Sequence, residues 1–146
     1  MDIMCIKAYK EETSRHHLYF TQSEIQGITC LDVGNELSKS IENDMGKKQL
    51  PMIAEEKLNR LVEHFTVNLA DIGDIVALTN IGILFEPALQ INIHDKLDYY
   101  SRSRNVVVSM RGSLIIDDRF YLSGCKNKRY SIDLKDITHK ELQDEI

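Results

Sequence analysis

The sequence predicts an α/β fold: a small parallel sheet flanked by helices, with an antiparallel β extension towards the C-terminal end. Three observations carry this prediction. Continuous apolar runs at Ile75–Thr79 and Asn105–Met110 read as strands buried on both faces. Segments with a single apolar stripe alternate with them, the order that builds a parallel sheet covered on both sides. After Gly112 the pattern changes to short strands separated by turn residues, as in a small meander. The 146 residues suit one domain, divided into an α/β core (1–112), a β extension (113–137) and a charged tail (138–146).

Ile3 to Ala8 reads as a first short strand. Lys10 to Ser23 is polar and reads as a loop or short helix. Ile28 to Val33 is apolar and partly β-branched between Gly27 and Gly34, as a strand should be. Glu36 to Met45 reads as a helix, with Asn35 as its cap and Gly46 as its stop. A second helix starts near Pro51, because proline suits the first helical turn, where its missing N–H has no partner anyway. Ala54, Leu58, Leu61, Val62 and Phe65 then recur at spacings of three and four and share one face. Asp71 to Asp74 is a turn leading into the strand Ile75–Thr79. Asn92 caps a third helix running to Arg102, and Asn105–Met110 follows as a strand. Leu114–Ile116, Phe120–Leu122 and Tyr130–Ile132 are the strands of the meander, with turns at Asp117-Asp118 and Gly124. The charged tail is expected to fray.

Apolar content of 42% and charged content of 28% are ordinary for a soluble globular protein. No run approaches the ~20 apolar residues that cross a bilayer. The first residues carry an acid and too short an apolar segment for a secretory signal. A cytoplasmic location with no membrane partner is therefore the expectation. The three cysteines, Cys5, Cys30 and Cys125, lie far apart with no C-x-x-C pair, which argues against a disulfide framework or a zinc knuckle. Cys5 and Cys30 read as buried thiols inside strands. His16-His17 lacks the spacing of a metal pair and reads as a solvated loop pair, with His64 and His94 isolated on helix flanks. No metal ligand set, cofactor or catalytic residue is expected. Asp117-Asp118 has the chemistry to hold Mg²⁺, but a turn explains it with less.

The net charge of −5 is unevenly spread. Residues 1–100 carry nine basic and 16 acidic side chains, while residues 101–130 carry seven basic and two acidic ones. The basic block comprises Arg102, Arg104, Arg111, Arg119, Lys126, Lys128 and Arg129. Such a local excess can attract an anionic partner although the whole chain is acidic. Ser101-Arg102-Ser103-Arg104 could contact nucleic-acid phosphate or act in trans on a partner's nucleotide. Its plainer reading is a helix end where arginines complement the dipole.

Three strings together resemble a family: Asp32-Val33-Gly34-Asn35-Glu36-Leu37-Ser38, Thr79-Asn80-Ile81-Gly82-Ile83-Leu84-Phe85-Glu86-Pro87-Ala88-Leu89, and Tyr100 to Val108. From about Ile28 to Ile137 the chain resembles the small P-loop ATPase component of type III BREX (bacteriophage exclusion) defence systems. The resemblance implies a RecA/AAA-like core with a short β-rich tail, acting beside larger defence proteins. The departures matter more. The family's G-x-x-x-x-G-K-[ST] loop cradles phosphates with backbone N–H groups. In its place stands Ala8-Tyr9-Lys10-Glu11-Glu12-Thr13-Ser14-Arg15, without glycine and with two acids that repel phosphate. The acid that would hold Mg²⁺ after the core strand is Thr79, followed by Asn80. A degenerate nucleotide site of Lys10, Thr13, Ser14, Thr79 and Asn80 is thus expected, because phosphoryl transfer depends on positioning and metal charge. The expected function is that of a non-catalytic subunit of an anti-phage complex, self-associating or docked on a larger ATPase or DNA-acting protein. The alternative is a nucleic-acid-binding module that uses the 101–130 block.

Overall fold

The computed structural model describes residues 1–9 and 14–142. In chain order the strands are β1 (Leu18–Thr21), β2 (Leu31–Asp32), β3 (Val67–Leu69), β4 (Gly73–Thr79), β5 (Asn105–Ser109), β6 (Leu114–Ile116), β7 (Arg119–Tyr121), β8 (Ser131–Asp133) and β9 (His139–Leu142). The α-helices are α1 (Val33–Ile41), α2 (Leu50–Phe65) and α3 (Ile93–Ser103). The main sheet runs β2-β4-β5-β1-β9 with every one of these pairs parallel, and β3 pairs antiparallel with β4. Strands β6, β7 and β8 form a separate antiparallel sheet. The α/β class and the meander follow the sequence prediction.

Alternation along the strands divides the core in two. Leu18, Phe20, Val76, Leu78, Val106 and Val108 face one way, onto Val33, Leu37, Ala54, Leu58, Val62, Leu97 and Tyr100 from all three α-helices. Tyr19, Ile75, Ala77 and Val107 face the other way, onto Ile3, Ile6, Ile25 and Ile72. The helices therefore cover a single face. The opposite face is closed by the N-terminal segment and the β1–β2 connection, not by the helical layer predicted there.

Several elements differ from the sequence reading. Ile3–Ala8 is a 3₁₀ helix, capped by the Asp2 side chain accepting from the Met4 N–H. Its buried residues, Ile3 and Ile6, are three apart, the period of a 3₁₀ turn, and Cys5 points to solvent. The first strand is instead Leu18–Thr21, all four residues buried, inside the segment read as loop. Of the strand read at Ile28–Val33 only Leu31–Asp32 pairs, so half-buried Cys30 lies outside any strand. Helix α1 starts at Val33, because Asp32 and not Asn35 caps it by accepting from the Asn35 N–H at 3.0 Å. The tail does not fray at its start: His139–Leu142 adds to β1 as a parallel edge strand. Residues 143–146 of that tail lie outside the described residues.

The turn residues behave as read. Asp117 and Asp118 both take positive φ, 51° and 59°, the conformation of a type I′ hairpin. The meander is fixed to the main sheet by Phe120, whose ring stacks on Phe20 at 5.6 Å, both fully buried.

Candidate functional site

In an open parallel sheet, ligands bind outside the carboxyl ends of the strands, where the chain reverses the side to which it crosses. Here the chain leaves β1, crosses past β5 and β4 to reach β2, and later returns to the other side of β1 at β9. That places the reversal between β1 and β5. Register aligns the strand ends at this edge. Asp32 pairs with Thr79, and Thr21 pairs with Ser109. Leu78 pairs with Val108, so Thr79 and Ser109 are level one step further on. Four adjacent parallel strands thus end on a row of polar residues, Asp32, Thr79, Ser109 and Thr21.

A cleft of about 600 Å³ opens on this row, lined among others by Thr79, Ser109, Arg111 and Ser113. Its wall comes partly from the nine-residue connection between β1 and β2, through Glu24, Ile25 and Cys30. That connection is held down by the N-terminus: Ile3 N–H donates to Gln26 C=O at 2.8 Å, and Gln26 N–H to Met1 C=O at 2.7 Å. Gly27 takes φ +93° against Ile3, where any side chain would be strained and crowded. The Gln22 side-chain amide donates to the Ser113 carbonyl at 2.8 Å, and the Ser113 hydroxyl to the Leu122 carbonyl at 2.7 Å. These bonds join the connection, the β5 exit and the meander into one rim.

Of the expected nucleotide residues, the described ones, Ser14, Thr79 and Asn80, are not brought together. Ser14 lies before β1, at the amino edge of the sheet, and its hydroxyl donates to the His16 carbonyl. Thr79 and Asn80 lie at the opposite, carboxyl edge. The reason is the misplaced first strand: with Leu18–Thr21 as β1, the loop leaving its carboxyl end is Gln22–Cys30, not Ala8–Arg15. Lys10 and Thr13, with Glu11 and Glu12, lie outside the described residues. The Thr79 hydroxyl donates to the Leu31 carbonyl at 3.4 Å. Asn80 takes φ 53°, and its amide donates to the Asp32 carboxylate at 2.9 Å, supporting the residue that caps α1. Gly34 packs directly on Asn80 and donates its N–H to the Asn80 carbonyl at 3.0 Å.

The basic block is also divided. Arg102 pairs with Asp98, one turn back on α3, at 3.0 Å. Arg104 lies over the Tyr100 ring at 5.7 Å and donates to the Thr66 hydroxyl. Both stand at the amino edge, just before β5. Arg111 follows β5 at the carboxyl edge, about 16 Å away for a five-residue strand. Lys126, Lys128 and Arg129 lie in the exposed connection from β7 to β8. Arg119, on β7, donates to the Ser131 hydroxyl at 3.1 Å, so the block is spread over both edges of the main sheet and the meander.

Two histidines have partners that the sequence hid. His16 is buried, not solvated, and its Nε2 meets an Asp98 oxygen at 2.5 Å. The Thr138 N–H donates to Nδ1 of the same ring, so His16 ties the entries of β1 and β9 to α3. His94 is bracketed by Asp136 at 2.7 Å and Asp95 at 3.0 Å, and these hydrogen bonds, the Asp136 one foremost, raise its pKa. Burial, then the nearby Glu24 charge, pushes the Cys30 thiol up, which keeps it neutral and a poor nucleophile. Among the described residues no group of three or more His, Cys, Asp or Glu comes together to hold a metal ion. No described helix is long and apolar enough to cross a membrane.

Set against known proteins, the chain matches no family model, no curated protein and no solved structure. The site therefore rests on its own geometry. Of the residues at this edge, sequence reasoning singled out Thr79, Asn80 and Arg111 and missed Thr21 on the polar row and Ser109 and Ser113 on the cleft. A signal for the first two was present: each of the three apolar strands closes on a small hydroxyl residue, as Phe20-Thr21, Leu78-Thr79 and Val108-Ser109.

Proposed function

We propose that the chain is a non-catalytic, P-loop-like subunit of a bacterial anti-phage defence complex, an assembly or regulatory partner of a larger ATPase or DNA-acting protein. The carrying observation is the use made of the carboxyl edge. Thr79 and Asn80 stand where a phosphoryl-transfer site of this type would hold Mg²⁺, and both side chains make hydrogen bonds within the fold, to Leu31 and Asp32. The connection leaving β1 contains no helix whose N-terminus could receive phosphate, and N-terminal residues hold it down. Phosphoryl transfer needs positioned metal charge and a phosphate cradle, and the engagement of Thr79 and Asn80 within the fold supports a reading without it. What such a domain offers is its surface, which fits a role beside larger subunits.

The test uses the purified chain alone and mixed with a large ATPase found among the products of the neighbouring genes. We expect no MgATP turnover by the chain itself, a stable complex with that ATPase, and a changed turnover rate in the complex. Mg²⁺-dependent turnover by the isolated chain that disappears in Thr79→Val would overturn the proposal.

A further inference from the structure

The carboxyl-edge cleft has features that the defence reading does not use. The Ser109 hydroxyl is half-buried and has no hydrogen-bond partner among the described residues. Arg111, two residues further on, has no ion-pair partner among them either. Both residues line the cleft, Arg111 exposed, and a hydroxyl and a guanidinium are donors that recognise a carboxylate or phosphate group, arginine with two parallel bonds. The lining also carries the apolar side chains Ile25, Ile81 and Leu122. Gly82 is also on the lining, outside the left-handed backbone region, and a Cβ there would meet only Leu122, at 3.8 Å. Space rather than backbone geometry thus distinguishes that position. The volume of about 600 Å³ lies within the ~300–1,000 Å³ of small-molecule sites. The lining also holds one acid, Glu24, whose carboxylate opposes an anion, and Cys30, whose thiol stays uncharged.

We propose that this cleft binds a small organic anion, its charged group held by Arg111 and Ser109 and its apolar body packed against Ile25, Ile81 and Leu122. The inference stands apart from the defence role, since a ligand here needs neither a partner subunit nor phosphoryl transfer. Carboxylates and phosphate monoesters share the required chemistry.

The test is an amide ¹⁵N NMR titration of the full chain with four probes. Phenyl phosphate and benzoate carry a ring and an anionic group, benzyl alcohol only the ring, and inorganic phosphate only the charge. We expect saturable shifts at Gly82, Ser109, Arg111 and Ser113 with one or both ring-bearing anions, the tighter one naming the anionic group. Each half-probe should bind about tenfold more weakly or worse. Arg111→Ala should weaken binding about tenfold or more, the size of a lost charge-assisted contact. Gly82→Leu should abolish binding while leaving amides at the far edge unshifted. Unaltered binding in Arg111→Ala, shifts spread over the 123–130 connection, or no saturable shift with either ring-bearing anion would overturn the proposal.

Discussion

Replacing Gly34 by alanine sets two effects of similar size against each other. Gly34 is the second residue of α1, where alanine should favour the helix by up to ~1 kcal/mol. An alanine Cβ, however, would overlap the Asn80 side-chain amide, reaching 2.9 Å from its Cγ, and would stand 3.2 Å from the Asn80 carbonyl oxygen. The amide must swing away and give up its bond to the Asp32 carboxylate, which in turn caps α1. Losing one charge-assisted bond costs ~1.5–3 kcal/mol, taken at the low end because Asn80 is exposed. The carbonyl must also retreat a few tenths of an ångström while still accepting from the residue 34 N–H. The net expectation is a destabilisation of ~1–2 kcal/mol, or roughly 3–7 °C in Tm for a chain of this size.

The decisive assay is a double-mutant cycle with Asn80→Gly, measured by urea unfolding. Glycine accepts the left-handed backbone of position 80 and removes the obstructing amide. In that background Gly34→Ala should be neutral or stabilising, giving a coupling of ~1–2 kcal/mol. Equal destabilisation in both backgrounds would refute the steric account of Gly34. Stabilisation by Gly34→Ala in the otherwise unaltered protein would refute the structural role assigned to Asn80.

Two further outcomes follow. Phe120→Ala should cost ~3–5 kcal/mol, because Phe120 is fully buried and stacked on Phe20, and both sheets should lose structure in one transition by circular dichroism and by fluorescence of the tyrosines; a separate early transition of the meander would contradict a single cooperative unit. His94 has a raised pKa in the folded state, so its pairing with Asp136 and Asp95 stabilises fully below its ordinary value of 6.5 and is lost as pH rises through the raised value. Stability followed from pH 6 to pH 8 should therefore fall more in the parent than in His94→Ala, by an amount within the ~0–1 kcal/mol of exposed pairs, and identical slopes would remove this assignment.

The sequence by itself determined the elements whose physics is local. Helix α2 follows from its apolar stripe and its proline, the α3 cap from Asn92, and the hairpin from two aspartates that tolerate positive φ. Strands β4 and β5 were legible because central parallel strands are apolar on both faces. What the sequence hid depends on partners distant in the chain. The four residues of β1 form an apolar run too short to stand out from their polar surroundings, and they become a strand because β5 and β9 pair with them on either side. His139–Leu142 is polar in three of four positions and is extended only because β1 offers an open edge. With β1 placed, Ser14 of the degenerate nucleotide site falls at the amino edge of the sheet, and Thr79 and Asn80 fall at the carboxyl edge. The cleft appears instead between strand ends that are adjacent only by register. That row of Asp32, Thr79, Ser109 and Thr21 was decided by tertiary structure, since strand order and register are set by long-range hydrogen bonds and burial, not by neighbours in the chain.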